Sequence, residues 1–291
     1  MARKPKQKQK PKQKQKQRKS KRRAAKLARG ADKHDLYQKA VQEPDADIPL
    51  IQKAFRNRFS RPAKTLREDF CGTALLACRW VKRSSDHRAW GIDLDPEPLD
   101  WGRVHNVGKL RPEEASRVKL IEGDVLDIGH ESVDVTVAFN FSYFLFQERA
   151  SLLNYLKHAY STLNPEGVLI LDAYGGADSQ RTSEELREVD DDFDYVWDQH
   201  RFDPIHHHVT NFIHFKFPDG SQIKRAFRYD WRLWSIPEIR ELLQEAGFDE
   251  SVVYWEGTDS ETGEGNDIFS PREQAPDDPA WICYIAGYRR S

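Results

Sequence analysis

Short apolar runs rich in Val, Ile and Leu alternate with helix-length amphipathic stretches between positions 65 and 173. That order predicts a parallel sheet with helices on both faces, since parallel strands need crossover helices to return the chain. Ahead of it, 31–57 reads as two helices split near Pro44 and Asp45. Beyond it the period shortens to two: 195–202, 208–217 and 222–229 alternate like antiparallel strands. Pro218-Asp219-Gly220-Ser221 supplies a hairpin turn between the last two. A final helix at 236–248 and a strand at 281–288 close the chain, and 257–279 reads as a long, polar, mostly acidic loop.

Ligands of such sheets lie outside the carboxyl ends of the strands. The rule puts Glu68 to Thr73, Asp93, Asp124, Asn140 to Tyr143 and Asp172 to Tyr174 on one edge. The most informative segment there is Leu66-Arg67-Glu68-Asp69-Phe70-Cys71-Gly72-Thr73-Ala74-Leu75-Leu76, a strand entering a turn and then a helix. Gly72 lets a ligand approach the backbone, and the helix start offers unpaired amides to an anion. About twenty residues on, a second strand ends at Asp93, an acid able to accept from a ribose diol. The dinucleotide fingerprint wants glycine at three places held here by Phe70, Gly72 and Ala74. A pyrophosphate would be crowded; an amino-acid carboxylate is smaller.

At this point the chain resembles the class I S-adenosylmethionine-dependent methyltransferases, over roughly residues 31 to 291. Their Asp-Leu-Gly-Cys-Gly-Thr-Gly turn aligns onto Glu68 to Ala74, and the Arg-Glu-Asp-Phe-Cys-Gly-Thr string resembles an uncharacterised branch. Gly91-Ile92-Asp93, Ile121 to Val125, Val133 to Asn140, Asn164 to Asp172 and Glu245-Ala246-Gly247-Phe248 continue the match in order. The resemblance implies an α/β, Rossmann-like fold with a mostly parallel sheet, a closing antiparallel hairpin and an inserted antiparallel cap. It implies S-adenosyl-L-methionine as cofactor, bound by Glu68, Phe70, Cys71, Gly72, Thr73, Asp93 (ribose), Leu94, Asp124 (adenine amine), Val125 and Asn140. Tyr37 joins them if the N-terminal helix closes over the methionine part; helix packing is the other reading of Tyr37. Phe70 and Ala74 depart from the family's glycines, so either the backbone is displaced or the loop has lost its ligand.

The acceptor side is less legible. The cofactor's sulfonium is already electrophilic, so alignment carries most of the reaction and no universal catalytic residue exists to be read. Asn140-Phe141-Ser142-Tyr143 faintly resembles the Asn-Pro-Pro-Tyr motif of amino-group nucleic-acid methyltransferases, without its prolines; simple packing of Phe141 and Phe144 also accounts for it. His200, His206, His207, His208 and His214 suggest metal binding, a proton acceptor such as His207, or a solvated hairpin. Trp231, with Tyr229 and Trp234, suits either an aromatic wall or core packing. Asn140, Tyr143, His207 and Trp231 are therefore the acceptor-side candidates.

Composition adds one asymmetry. Residues 1–29 carry fifteen Lys or Arg and no acid, which leaves 31 basic against 47 acidic residues, a net charge near −16, for the rest. Residues 1–30 read as a disordered basic tail, with nonspecific RNA or ribosome contact through 3–29, solubilisation and fold-back on the acidic domain as its readings. The remainder divides into N-terminal helices (31–60), a cofactor core (65–175), a cap (190–232) and the last helix with closing strands (236–291). Three scattered cysteines exclude a disulfide framework or zinc site, and no metal is expected. No apolar run reaches membrane length, so the expected setting is cytoplasmic. The reading is a methyltransferase acting on a small molecule. An RNA- or ribosome-associated methyltransferase and a non-catalytic binding protein are the alternatives.

Overall fold

The computed structural model describes residues 27–127, 132–259 and 265–290. Eight strands form one sheet in the order β11-β10-β12-β5-β4-β1-β2-β3. Its parallel half comprises β1 (Thr65–Asp69), β2 (Arg88–Asp93), β3 (Val118–Glu122), β4 (Val133–Ala138) and β5 (Leu163–Gly175). β10 (Glu250–Thr258), β11 (Gly265–Pro271) and β12 (Trp281–Arg289) complete it with antiparallel pairings, β12 running against β5. Strand order reverses between β1 and β4, which opens a crevice at their carboxyl ends.

Two apolar layers hold helices against the sheet. On one face, α2 (Pro44–Phe59) and α3 (Leu75–Arg83) bury Ile51, Phe55, Trp80 and Val81; α4 (Pro96–His105) adds Leu99. On the other, α6 (Arg149–Thr162) and α7 (Ile236–Ala246) bury Leu152, Tyr155, Leu156, Ile239 and Leu243. The four-residue α5 (Pro112–Ala115) leads into β3. α7 starts in a capping box, Ser235 with Glu238, and stops at Gly247 with φ 109°, a left-handed cap that glycine takes without penalty.

The second sheet is the predicted cap, in the order β6-β7-β8-β9, fully antiparallel. Its strands are β6 (Ser183–Val189), β7 (Phe193–Asp203), β8 (His208–Lys216) and β9 (Gln222–Arg232). The cap thus begins at 183 rather than 190. β6 escaped the sequence reading because six of its seven side chains are exposed and polar or isolated, and main-chain pairing to β7 alone defines it. Likewise 257–279 is not one loop: β11 pairs with β10 inside it, anchored by Phe269 against Tyr284. A mostly polar edge strand carries no apolar run to announce it.

α1 (Lys33–Val41) buries Leu36 and Ala40 against Val189, Phe193, Ile213 and Phe215 of the cap, not against the main sheet. Residues 27–30 are helical, and the Ala28 amide donates to Ser221 Oγ at 3.1 Å. The fold therefore begins no later than Leu27, inside the segment expected to be tail; residues 1–26 lie outside the described residues.

Candidate active site

The turn after β1 keeps its shape without its glycines. Phe70, Gly72 and Ala74 have φ of 56°, 52° and 55°, all left-handed. A side chain in that region costs about 1 kcal/mol against glycine, so surrounding contacts must hold the turn. The Cys71 amide donates to Ile92 O (2.9 Å) and the Ala74 amide to Cys71 O (2.8 Å). Phe70 packs beside Phe146 and Tyr155, and Ala74 is fully buried. At all three positions the backbone thus takes the left-handed conformation that glycine adopts without strain.

Asp93 closes the turn from the side. Its Oδ2 accepts from the Gly72 amide at 2.7 Å and its Oδ1 from the Asp95 amide at 2.9 Å. Leu94, the next residue, exposes 69% of its surface. Asp124 Oδ1 accepts from the Leu126 amide, which fixes the end of β3. Glu68 lies buried below the turn with Oε2 accepting from the Ala77 amide (2.8 Å) in the first turn of α3. Thr73 is gripped from two sides, its Oγ1 accepting from Gln38 Nε2 of α1 (2.6 Å) and its carbonyl from Asn106 Nδ2 (2.8 Å).

The side chains of two expected site residues are buried. The Cys71 side chain turns into the core towards Gly91, and Val125 is buried while its carbonyl accepts from Arg67 Nη2 (2.9 Å). α4 presses on the same turn: a Cβ at Gly102 would sit 2.4 Å from the Thr73 carbonyl oxygen. Gly102→Ala should lower stability by about 1–3 kcal/mol through overpacking. It should also weaken cofactor binding about tenfold, provided that the turn shifts by the full clash. Denaturant titration and calorimetry read the two effects; an unchanged variant would show the turn to be soft.

Beyond β4, Asn140 and Phe141 are also left-handed, with φ of 57° and 58°. Both amides donate to the Asp172 carboxyl, at 2.6 and 2.8 Å. Burial pushes Asp172 up to about 8 against those two amides, and burial likewise pushes Glu68 up to about 8. Asp47, whose carboxyl accepts from the Tyr284 hydroxyl, rises to about 7 for the same reason.

A cavity of about 390 Å³ opens between this edge and the cap. Asn140, Phe141, Tyr174 and Trp281 line it from the main sheet, Tyr37 from α1, and Trp197, Gln199, Tyr229 and Trp231 from the cap. The Tyr37 and Tyr229 hydroxyls share a hydrogen bond. Asn140, Trp231 and Tyr37 are thus brought together. Tyr143 and His207 are not. Tyr143 is fully buried, its hydroxyl donating to the Asp172 carbonyl (2.9 Å), because the turn at 139–141 is followed by a 3-10 helix that points it inward. His207 sits in the β7–β8 turn, its Nδ1 3.0 Å from the Leu233 carbonyl oxygen at the cap–α7 junction, outside the cavity. The other histidines pair on the cap, His206 with Asp203 and His214 with Asp198. Among the described residues no group of three or more His, Cys, Asp or Glu side chains is placed to hold a metal ion. Tyr174 falls on the ligand edge expected from the strand ends, whereas Trp197, Gln199 and Trp281 were missed; strand register, which puts alternate residues on one face, could have found them.

Residues 69–171 match the family model described as a methyltransferase domain. That segment is a methyltransferase domain. No curated protein matches it in sequence. Among solved structures, this methyltransferase is similar to the CcbJ methyltransferase of Streptomyces caelestis (17% identity, 87% of this chain and 98% of that one, TM-score 0.62). It is also similar to CalS10, an amino pentose methyltransferase of Micromonospora echinaspora solved with S-adenosylmethionine bound (15%, 88% and 95%, 0.61). A third is the sugar N-methyltransferase KedS8 of a Streptoalloteichus species (17%, 90% and 94%, 0.60). At these identities the likeness is one of fold. The methyltransferase's cofactor is S-adenosyl-L-methionine, and the strained turn, the fixed Asp93 and the exposed Leu94 fit it. No helix among the described residues is long and apolar enough to cross a membrane.

Proposed function

We propose that the methyltransferase acts on a small molecule held in the cavity between the β4–β5 edge and the cap. The carrying observation is that Asn140 and Phe141, at the carboxyl end of β4 beside the proposed cofactor crevice, also line that cavity. A chamber of about 390 Å³ matches the size of small-molecule sites. The amino pentose and sugar methyltransferases with a similar fold support the same substrate size.

In this reading, Asp93 accepts from the ribose hydroxyls, Leu94 lies against the adenine face, and Asp124 takes the adenine amine. The Phe70–Ala74 backbone and the start of α3 hold the methionine part, with Glu68 beneath it. The cofactor supplies a methyl group on a positively charged sulfur. Asn140, Phe141 and the cap rings then align the acceptor and exclude water. The N-terminal helix contributes Tyr37 to the wall and Gln38 to the turn.

Proton linkage follows from the raised carboxyls. Unfolded Asp and Glu titrate near pH 4, while Glu68, Asp172 and Asp47 titrate at about 8, 8 and 7 when folded. Their contribution to stability is complete below about pH 4 and is lost as pH rises through the folded values. A cationic cofactor favours the ionised carboxylates, so binding near neutrality releases protons. The thermal shift given by S-adenosylmethionine should be larger at about pH 8.5 than at about pH 6. Equal shifts would separate these carboxyls from the cofactor.

Incubating the full chain with S-adenosylmethionine and either a low-molecular-weight metabolite fraction or total RNA tests the acceptor. S-adenosylhomocysteine formed only with the metabolite fraction is the expected result. Formation only with RNA would replace this reading by the RNA-directed one, which the fifteen basic residues of 1–29 support.

A further inference from the structure

We infer that the acceptor is an amine, recognised in the cavity as a cation and methylated on nitrogen. The inference rests on the small-molecule reading of the cavity. The residues that line it include three carboxylates, Asp178, Glu185 and Glu256, and no Lys, Arg or His among the described residues. Asp178 is offset by Arg181 at 2.8 Å. Nearby Arg187 packs over Tyr195 and donates to the Ala40 carbonyl, so it keeps its charge but directs it to the α1 side of that ring, one cation against two carboxylates. Glu185 and Glu256 then set the sign of the field, which repels phosphate and carboxylate acceptors and attracts cations.

The rings agree with the charge. Trp197, Tyr229, Trp231 and Tyr174 form one continuous wall, with centroids 4.4 to 6.5 Å apart. Tyr229 and Trp231 are the near-parallel pair (29°) but already touch at 4.4 Å, and the other angles of 36°, 56° and 90° offer no parallel slot for a flat heterocycle between these rings. A ring wall of that kind presents negative faces to a compact cation. Asn211, 1% exposed, lies in register between Gln199 and Tyr229, both cavity residues, and so shares their face. Its Nδ2 donates to the Tyr174 hydroxyl at 3.2 Å, while its Oδ1 has no partner. Asn211 is not itself a lining residue; it steadies Tyr174 from behind the ring wall.

The ammonium sheds one proton to solvent. The nitrogen lone pair then forms the N–C bond as the cofactor's C–S bond breaks, the S–C electron pair passing to sulfur. A second proton leaves the product nitrogen if it is to be neutral.

The test is a tryptophan-fluorescence titration of the full chain, with and without S-adenosylhomocysteine, using choline, its neutral isostere 3,3-dimethylbutan-1-ol and the anion 3,3-dimethylbutyrate. Choline should bind about tenfold more tightly than the neutral isostere. Glu256→Gln and Trp231→Leu should each shrink that ratio while leaving S-adenosylhomocysteine binding, read by calorimetry, unchanged. Equal binding of choline and its isostere, tighter binding of the anion, or binding of none would overturn the inference. If S-adenosylhomocysteine binds in the same samples, the methyltransferase site stands and only the amine assignment falls.

Discussion

Asp93→Ala is expected to weaken S-adenosylmethionine binding by about 30- to 1,000-fold. The carboxylate is already fixed by the Gly72 and Asp95 amides, at 2.7 and 2.9 Å, before any ligand arrives. A preorganised acceptor loses little entropy when it takes two ribose hydroxyls. Hydrogen bonds to a charged group contribute about 1.5–3 kcal/mol each, and a loss of about 2–4 kcal/mol corresponds to that range of affinity. The variant also frees the Gly72 amide, so part of the loss comes from a looser turn. Asp93→Asn, which keeps one acceptor oxygen, should fall between. Calorimetry on the three proteins decides: a change below about threefold in the alanine variant would remove Asp93 from the cofactor site.

The second large effect is on stability. Arg67 and Asp69 point to the same side of β1, both with fully buried side chains, and their Nε–Oδ1 distance is 2.5 Å. Arg67 also donates to the Val125 carbonyl, and the Tyr155 hydroxyl donates to Asp69 Oδ2 at 3.0 Å. Burial pushes Asp69 up while Arg67 pulls it down, so the ion pair is what keeps the carboxylate tolerable there. Arg67→Met should cost about 3–5 kcal/mol, because it leaves a buried carboxylate without its cation. Replacing both, as Arg67→Met with Asp69→Leu, should recover much of that, since two apolar groups need no partner. Denaturant unfolding of the single and double variants checks the order; a single variant down by less than about 1 kcal/mol would contradict it.

The parallel half of the sheet was legible because its strands are apolar on both faces and spaced by helices. The edge strands were not. β6 and β11 are polar and owe their existence to main-chain pairing with β7 and β10, which leaves no periodic signature. Asp93 and Asp124 stand out in sequence because an acid ends an apolar strand. Tyr143 misled for the opposite reason: a residue next to the strand end can turn inward, and the two left-handed residues before it make it do so. Gln38 and Asn211 were invisible, since their meaning lies in partners 35 and 37 residues away, Thr73 and Tyr174.

The doubtful turn offers a different lesson. Its glycine positions hold Phe70 and Ala74, yet the backbone conformation is the one that glycine would take. Conformation there is imposed by Asp93, Gln38, Asn106 and the packing of Phe70 on Phe146 and Tyr155 rather than by local freedom.

Through α1 the two halves of the reaction share a single mechanical part. One residue of that helix, Tyr37, walls the acceptor chamber, and its neighbour Gln38 clasps the cofactor turn. Free energy exchanged across such a joint is reciprocal: a nucleoside that steadies the helix must improve the grip on the acceptor by the same factor that the acceptor improves its own.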